Sequence, residues 1–301
     1  MGPDFKIDFI GIGTPKSATS WIFRCLCEHP QICGSSVKEV GFFYRDRYYN
    51  KGISFYKVFF NNCDADKIIG EFTPQYLASR EVPGRIKQCF PDIKLIVCLR
   101  DPIDRAYSHY WFSRYKNRLR SSLYDSFGEA IRKHPSLLNH GFYYHHLTHW
   151  LKYFPRDNIK ILIYEDISRN PLVFIQGIYE FLRVRGDFEP TTSHERLNAA
   201  DSLYEKKDKI PLIRPTLLYV REFLRHTPLD KATHDLNNKL GLQEGITNFL
   251  IKNVVVKNNV VPQKPPIKPE DKIFLKKIYA EDVAKLKVFL SRELSSWNNF
   301  N

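Results

Sequence analysis

Short apolar runs alternate along this chain with segments whose apolar residues recur every three or four positions. The first run, Ile7 to Ile12, ends in Gly13 and reads as a buried strand. A polar loop follows, Thr14-Pro15-Lys16-Ser17-Ala18-Thr19-Ser20, and Trp21 to Cys27 resumes at helical spacing. Lys67 to Gly70 is a second candidate strand. Ile93 to Leu99 is the strongest, rich in β-branched residues and followed directly by a helix start at Asp101-Pro102. Ile159 to Tyr164 supplies a fourth. Ile103 to Lys116 and Tyr143 to Phe154 carry helical periodicity. Strands alternating with helices predict an α/β fold, a mostly parallel sheet with helices on both faces.

The texture changes after Arg196. Residues 201 to 260 hold a charged segment (YEKKDK) and a helical stretch (PTLLYVREFLRH) but no buried strand. They read as a helical insertion or cap, about 200–260, over the acceptor side of a single domain spanning 1–301. The Pro-rich stretch Val261 to Pro266 reads as a rigid turn or linker, and a last amphipathic helix runs from Pro269 to about Trp297.

Composition narrows the classes. At 43% hydrophobic and 14% aromatic, the 301-residue chain can bury a sizeable core, which excludes global disorder. No apolar stretch approaches the roughly 18–20 residues of a membrane span. The first residues, MGPDFKIDFIGIG, lack the pattern of a signal peptide, so a cytoplasmic protein is expected. Lys and Arg number 46 against 33 Asp and Glu, a net charge of +13. That excess suits an anionic partner such as nucleic acid, acidic polysaccharide, a membrane surface or a phosphorylated cofactor, or simply a basic surface. The six cysteines, at 25, 27, 33, 63, 89 and 98, form no CxxC pair, which disfavours zinc. Cys98, inside LIVCLR, is expected to be a buried thiol. No disulfide framework is expected in a chain this long, in keeping with a reducing compartment.

The loop at 13–20 carries the first chemistry. Small residues after a buried strand permit a tight turn, and the following helix presents unpaired N–H groups and its positive end to phosphate. Lys16 adds a cation; Ser17, Thr19 and Ser20 add hydroxyls. Gly11 and Lys16 have the spacing of the ATP/GTP loop GxxxxGK[ST], but Pro15 precedes the Lys, which disfavours that loop. An ordinary capped strand–helix turn is the alternative. As it stands, FIGIGTPKSATSW resembles the 5′-phosphosulfate loop of sulfotransferases that use 3′-phosphoadenosine 5′-phosphosulfate (PAPS), with Ala18 where that family has Gly.

The resemblance extends to Arg100-Asp101-Pro102-Ile103-Asp104-Arg105-Ala106-Tyr107-Ser108, where the family uses an Arg at a strand end and a Ser eight positions on to bind the 3′-phosphate. A guanidinium there grips phosphate with two parallel hydrogen bonds, at the carboxyl edge where open α/β sheets bind ligands. An Arg100–Asp104 ion pair is the structural alternative. KEVGFF (38–43), GEFTPQYL (70–77), GFYYHHLTHWLKYFP (141–155), ILIYEDISRNP (161–171) and the C-terminal KPPIKPEDKIFLKKIYAEDVAKLKVFLSRELSSW also resemble family segments, nearest to the heparan-sulfate-type and bacterial branch. Only about 200–260 has no counterpart.

This resemblance implies a sulfotransferase fold and in-line transfer of a sulfuryl group from PAPS, with adenosine 3′,5′-bisphosphate (PAP) as product and no metal. It implies Lys16, Lys38 and Glu39 as catalytic residues, Glu39 as general base. It implies Lys16, Ser17, Ala18, Thr19, Ser20, Trp21, Arg100, Ser108, Tyr143 and Lys264 as donor-binding residues, with Tyr143 equally open to core packing. Lys257 and Lys264 would replace the charge of a C-terminal loop, and Asn198 resembles a family position of unassigned role. Gly41 stands where the family has His, and Phe72 where heparan-type enzymes have Lys. That loss of polarity near the acceptor points away from a polyanionic sugar and toward a small natural product or a carbohydrate hydroxyl, with N-sulfonation as an alternative. Partners are therefore a small-molecule or carbohydrate acceptor, with no nucleic acid and no membrane span; the oligomeric state is not readable. His109, His145, His146 and His149 lack a recognised ligand spacing. A P-loop kinase predicts an acidic strand end where Arg100 stands. A polyanion-binding protein predicts a clustered basic stripe, whereas Lys and Arg are scattered.

Overall fold

The computed structural model describes residues 5–115, 126–195 and 265–300. Lys264, Asn198, Lys257 and the 200–260 segment lie outside them. Two compact units divide the chain: 1–110, 125–198 and 267–301 form one, and 111–124 with 199–266 the other.

The centre of the first unit is one five-stranded sheet: β1 (Phe9–Gly13), β2 (Ile32–Gly34), β3 (Ile68–Phe72), β4 (Lys94–Leu99) and β5 (Ile159–Ile163). The order is β2-β3-β1-β4-β5 and every pairing is parallel. Parallel strands need crossovers that cover both faces, which is why β1 is buried throughout and reads as an unbroken apolar run. Helix Thr19–Glu28 packs Trp21, Ile22 and Leu26 into a core shared with Ile96, Cys98, Ile175 and Ile178. Cys98 is wholly buried, as its apolar run predicts, and burial pushes its thiol well up.

The middle of the sheet depends on close approach of backbones. Gly11 of β1 lies opposite Phe72 of β3, and a Cβ at Gly11 would come within 2.1 Å of the Phe72 ring. Phe72 is fully buried in this core. The expected placement of Phe72 beside the acceptor is therefore corrected: its ring fills the space that the missing Gly11 side chain leaves.

Three other expectations change. A three-residue strand, β2, was not legible, because so short a run carries no periodicity. Cys33 on β2 and Cys63 just before β3 form a disulfide with Cα atoms 5.6 Å apart. They are 30 residues apart in sequence and converge because β2 pairs with β3. With Cys33 and Cys63 paired, the cysteines no longer point to a reducing compartment. The terminal helix, Pro269–Leu290, ends before Trp297, at Ser291 with φ 49°. The tail then folds back and buries Leu294 and Trp297.

Candidate functional site

The candidate site lies at the carboxyl ends of β1, β3 and β4. β1 sits at the point where the chain's strand order reverses, the place where open α/β sheets hold ligands. The loop after β1 is tied to β4 by Thr14 N–H, which donates to the Cys98 carbonyl at 2.9 Å. Lys16 (φ 75°) and Ala18 (φ 55°) are left-handed, a backbone pattern that turns successive N–H groups toward an anion. Ala18 is the N-cap of helix Thr19–Glu28 and has no side-chain oxygen to occupy the first-turn N–H groups. Ser17 and Thr14 share a buried hydroxyl–hydroxyl bond of 2.8 Å. Thr19 is buried and Ser20 half-buried beside them.

Arg100, the residue after β4, joins this loop. Its guanidinium donates to the Lys16 carbonyl at 3.1 Å and lies 4.4 Å over the Tyr164 ring. Its Nε is buried without a hydrogen-bond partner among the described residues. A buried donor left unpaired between a cationic loop and an aromatic face suits an anionic group. The guanidinium thus turns to the loop, while Asp104 receives the amide of Asn299 at 3.4 Å. Ser108 is buried on helix Pro102–Tyr115, two turns further on.

Behind Arg100 stands a polar support. Tyr143 donates to the Arg100 carbonyl at 2.7 Å and is itself fully buried against Trp297. Trp297 donates to Glu165, which accepts the Asp101 N–H at 3.0 Å. Asp101 caps its helix through Ile103 N–H at 2.9 Å and accepts Asn299 Nδ2 at 2.9 Å. Burial pushes the Asp101 and Glu165 carboxyls up.

Two expected donor contacts take other places. The Trp21 ring turns into the core, packs on Phe174 and donates to the Thr192 carbonyl at 2.9 Å. Tyr143 spends its hydroxyl on the Arg100 carbonyl. Both side chains have a supporting place in this fold, and helical periodicity shows that a face is buried but not which polar atom its side chains meet. His146 and His149 bond to the Asn139 and Arg80 carbonyls at 2.8 and 3.0 Å. Among the described residues, no three His, Cys, Asp or Glu side chains converge as metal ligands.

Across β1 from Arg100 lies the 38–43 turn. Lys38 Nζ meets Glu39 Oε1 at 2.8 Å, and Gln75 Nε2 donates to Glu39 Oε2 at 3.3 Å. The Glu39 side chain is 39% exposed, so it is open to an incoming group. Glu39 has φ 65° and Gly41 φ 66°. The positive φ explains why Gly suits position 41, and for Glu39 it is the kind of local strain that clusters at functional sites.

Sequence reasoning missed Glu71. It is fully buried on β3 and accepts hydroxyls from Tyr76 at 2.8 Å, Tyr56 at 3.3 Å and Thr73 at 2.6 Å. Burial pushes its carboxyl up to about 7, while those three hydroxyls and the Lys38 charge pull it down. The available signal was a carboxylate inside the apolar run IIGEF.

Residues 6–211 match the family described as sulfotransferase domain. The membrane-associated sulfotransferase kil1 of Dictyostelium discoideum is 26% identical, over 64% of this chain and 60% of that protein. The human heparan sulfate glucosamine 3-O-sulfotransferase 3B1 is 31% identical, over 58% of this chain and 45% of that protein. The chain therefore spans less than two thirds of these relatives. Among solved structures, a sulfotransferase from Alicyclobacillus acidocaldarius superposes with TM-score 0.63 at 23% identity, covering 98% of this chain and 99% of that one. Mouse sulfotransferase SULT7A1 complexed with PAP gives 0.52 at 16%, covering 97% and 86%.

Proposed function

The chain belongs to the sulfotransferase domain family, and from that membership we propose that it moves a sulfuryl group from PAPS to an acceptor hydroxyl by in-line displacement. The observation that carries the reading is the junction of the β1 loop and β4, where Arg100 reaches the Lys16 carbonyl and keeps one buried N–H unpaired. Bound PAPS supplies the activated sulfuryl group, whose departure leaves PAP.

This chain's residues do the rest. The loop N–H groups with Ser17, Thr19 and Ser20 hold the 5′-phosphate, and Lys16 stabilises charge on the phosphate oxygen as it develops. Arg100 and Ser108 hold the 3′-phosphate. Glu39 takes the acceptor proton, and Lys38 and Gln75 keep its carboxylate aimed. The positive field comes from Lys and backbone donors.

The acceptor is a hydroxyl on a carbohydrate or a small natural product. With Phe72 in the core, only Gly41 in place of His still argues for a less polar acceptor, so carbohydrate regains weight. Curated relatives named for heparan sulfate glucosamine support that side.

The test is calorimetric titration of PAP into wild type and Arg100→Ala without metal. Binding by wild type that collapses in the variant supports the reading. Folded wild type that ignores PAP but binds ATP with magnesium would replace it with a nucleotide-binding role.

A further inference from the structure

We propose that Glu71 is a positioning residue for the sulfuryl-transfer site: through two hydroxyls it fixes the turn that carries Glu39. The inference rests on the reading of Glu39 as base.

Glu71 Oε2 accepts the Thr73 hydroxyl at 2.6 Å, and Glu71 Oε1 accepts the Tyr76 hydroxyl at 2.8 Å. Each of these hydroxyls has a second partner, and both partners are backbone N–H groups of one turn. Gly41 N–H donates to Thr73 Oγ1 at 3.1 Å, and Phe43 N–H donates to the Tyr76 hydroxyl oxygen at 3.4 Å. A hydroxyl has a single hydrogen. While that hydrogen goes to Glu71, the lone pairs face the turn and accept its N–H groups. An amide NH₂ in place of the carboxylate oxygen would point its own hydrogens at a hydroxyl, reverse that relay and set donor against donor. Only the ionised carboxylate offers an acceptor oxygen to each hydroxyl, so it alone keeps both relays in this polarity.

The turn needs this support. Glu39 and Gly41 both hold positive φ, and the Glu39 N–H donates to the Phe72 carbonyl at 3.2 Å as a third tie to the end of β3. All three ties come from the strand and turn that Glu71 organises. A base displaced by about 1 Å can lose on the order of 100-fold in rate, so the hold on this turn bears on turnover rather than on donor affinity.

The groups facing Glu71 are Tyr56, Tyr76 and Thr73, the Lys38 charge, and Cys89 beyond Tyr56. Its carboxyl, pushed up by burial to about 7, gains a proton as pH falls below neutrality, and the relay on the protonated oxygen then loses its polarity. Turnover should carry an acid limb there that donor binding does not share.

The experiment compares full-length wild type, Glu71→Gln, Thr73→Val and Thr73→Ser. Three readouts are taken: PAP affinity, hydrogen exchange of the Gly41 and Phe43 amides by NMR, and transfer from PAPS to 4-nitrophenol or desulfated heparin. Glu71→Gln and Thr73→Val should bind PAP within about twofold of wild type. The Gly41 amide of Thr73→Val, and the Gly41 or Phe43 amide of Glu71→Gln, should exchange at least about tenfold faster, and kcat should fall at least about tenfold with the donor KM unchanged. Thr73→Ser restores the hydroxyl and should match wild type. Wild-type exchange at Gly41 in both Glu71→Gln and Thr73→Val overturns the proposal, as does full kcat with faster exchange. If Glu71→Gln does not fold, the Thr73 pair decides. The exchange arm needs no ligand, so a wild type that fails to bind PAP sinks the sulfuryl reading separately.

Discussion

Arg100 and Lys16 are joined by a hydrogen bond of 3.1 Å from guanidinium to main-chain carbonyl. They are 84 residues apart in sequence. The bond makes the end of β4 and the loop after β1 one rigid edge, with the Tyr164 ring beneath the guanidinium. Arg100 therefore both shapes the loop and faces what the loop holds.

Arg100→Ala should lower PAP affinity by about 100-fold, the loss expected for a bidentate charge-assisted grip worth roughly 3 kcal/mol. Arg100→Lys should recover only part of it, because an ammonium cannot form the fork or lie flat on Tyr164. Calorimetry at fixed ionic strength measures both.

Tyr143→Phe removes the 2.7 Å bond to the Arg100 carbonyl inside a fully buried contact. The carbonyl is left without that donor, at a cost of about 1–2 kcal/mol. Urea unfolding should show that loss, and PAP affinity should fall severalfold. Unchanged affinity with lowered stability would make Tyr143 purely a core residue.

His146 offers a pH test. Burial holds its imidazole down to about 4, against which the Asn139 carbonyl pulls up, while His145 and His149 push further down. The unfolded chain binds a proton near pH 6.5 that the folded chain refuses, so this residue lowers stability as pH falls from about 6.5 toward 4. At pH 5 the loss is on the order of 2 kcal/mol. Glu71 acts in the opposite sense: its raised carboxyl adds stability below about 4.5 and loses it as pH rises through about 7. Comparing His146→Gln with wild type by urea unfolding at pH 7.5 and pH 5 isolates the histidine. The variant should lose less on acidification.

The Cys33–Cys63 bond closes a 30-residue loop that anchors β2 to the sheet. Chain entropy alone assigns such a crosslink about 3–4 kcal/mol. Reduction, or Cys63→Ser, should lower Tm by several degrees. Mass spectrometry after alkylation should find four free thiols in the unreduced protein. Six alkylated cysteines before reduction would refute the pairing.

The sequence alone determined the frame of this protein. Four of five strands, the polar loop before helix Thr19–Glu28, and Arg100 with Ser108 behind the strongest strand were legible, because each depends on local periodicity or on spacing within one strand–helix unit. Tertiary structure alone decided the rest. Phe72 lies over Gly11 because parallel pairing brings those two residues into register. Tyr143 serves Arg100, and Trp297 reaches Glu165, because the C-terminal tail folds back over the sheet edge. Cys33 finds Cys63 only once β2 is beside β3. Glu71 reads as one charge in an apolar strand until Tyr56, Thr73 and Tyr76 converge on it. Most of these partners are remote or lie across a strand pairing, Thr73 and Tyr76 reach Glu71 only through the turn after β3, and a buried polar atom is satisfied by whatever the fold brings within about 3 Å, which periodicity along the chain does not encode.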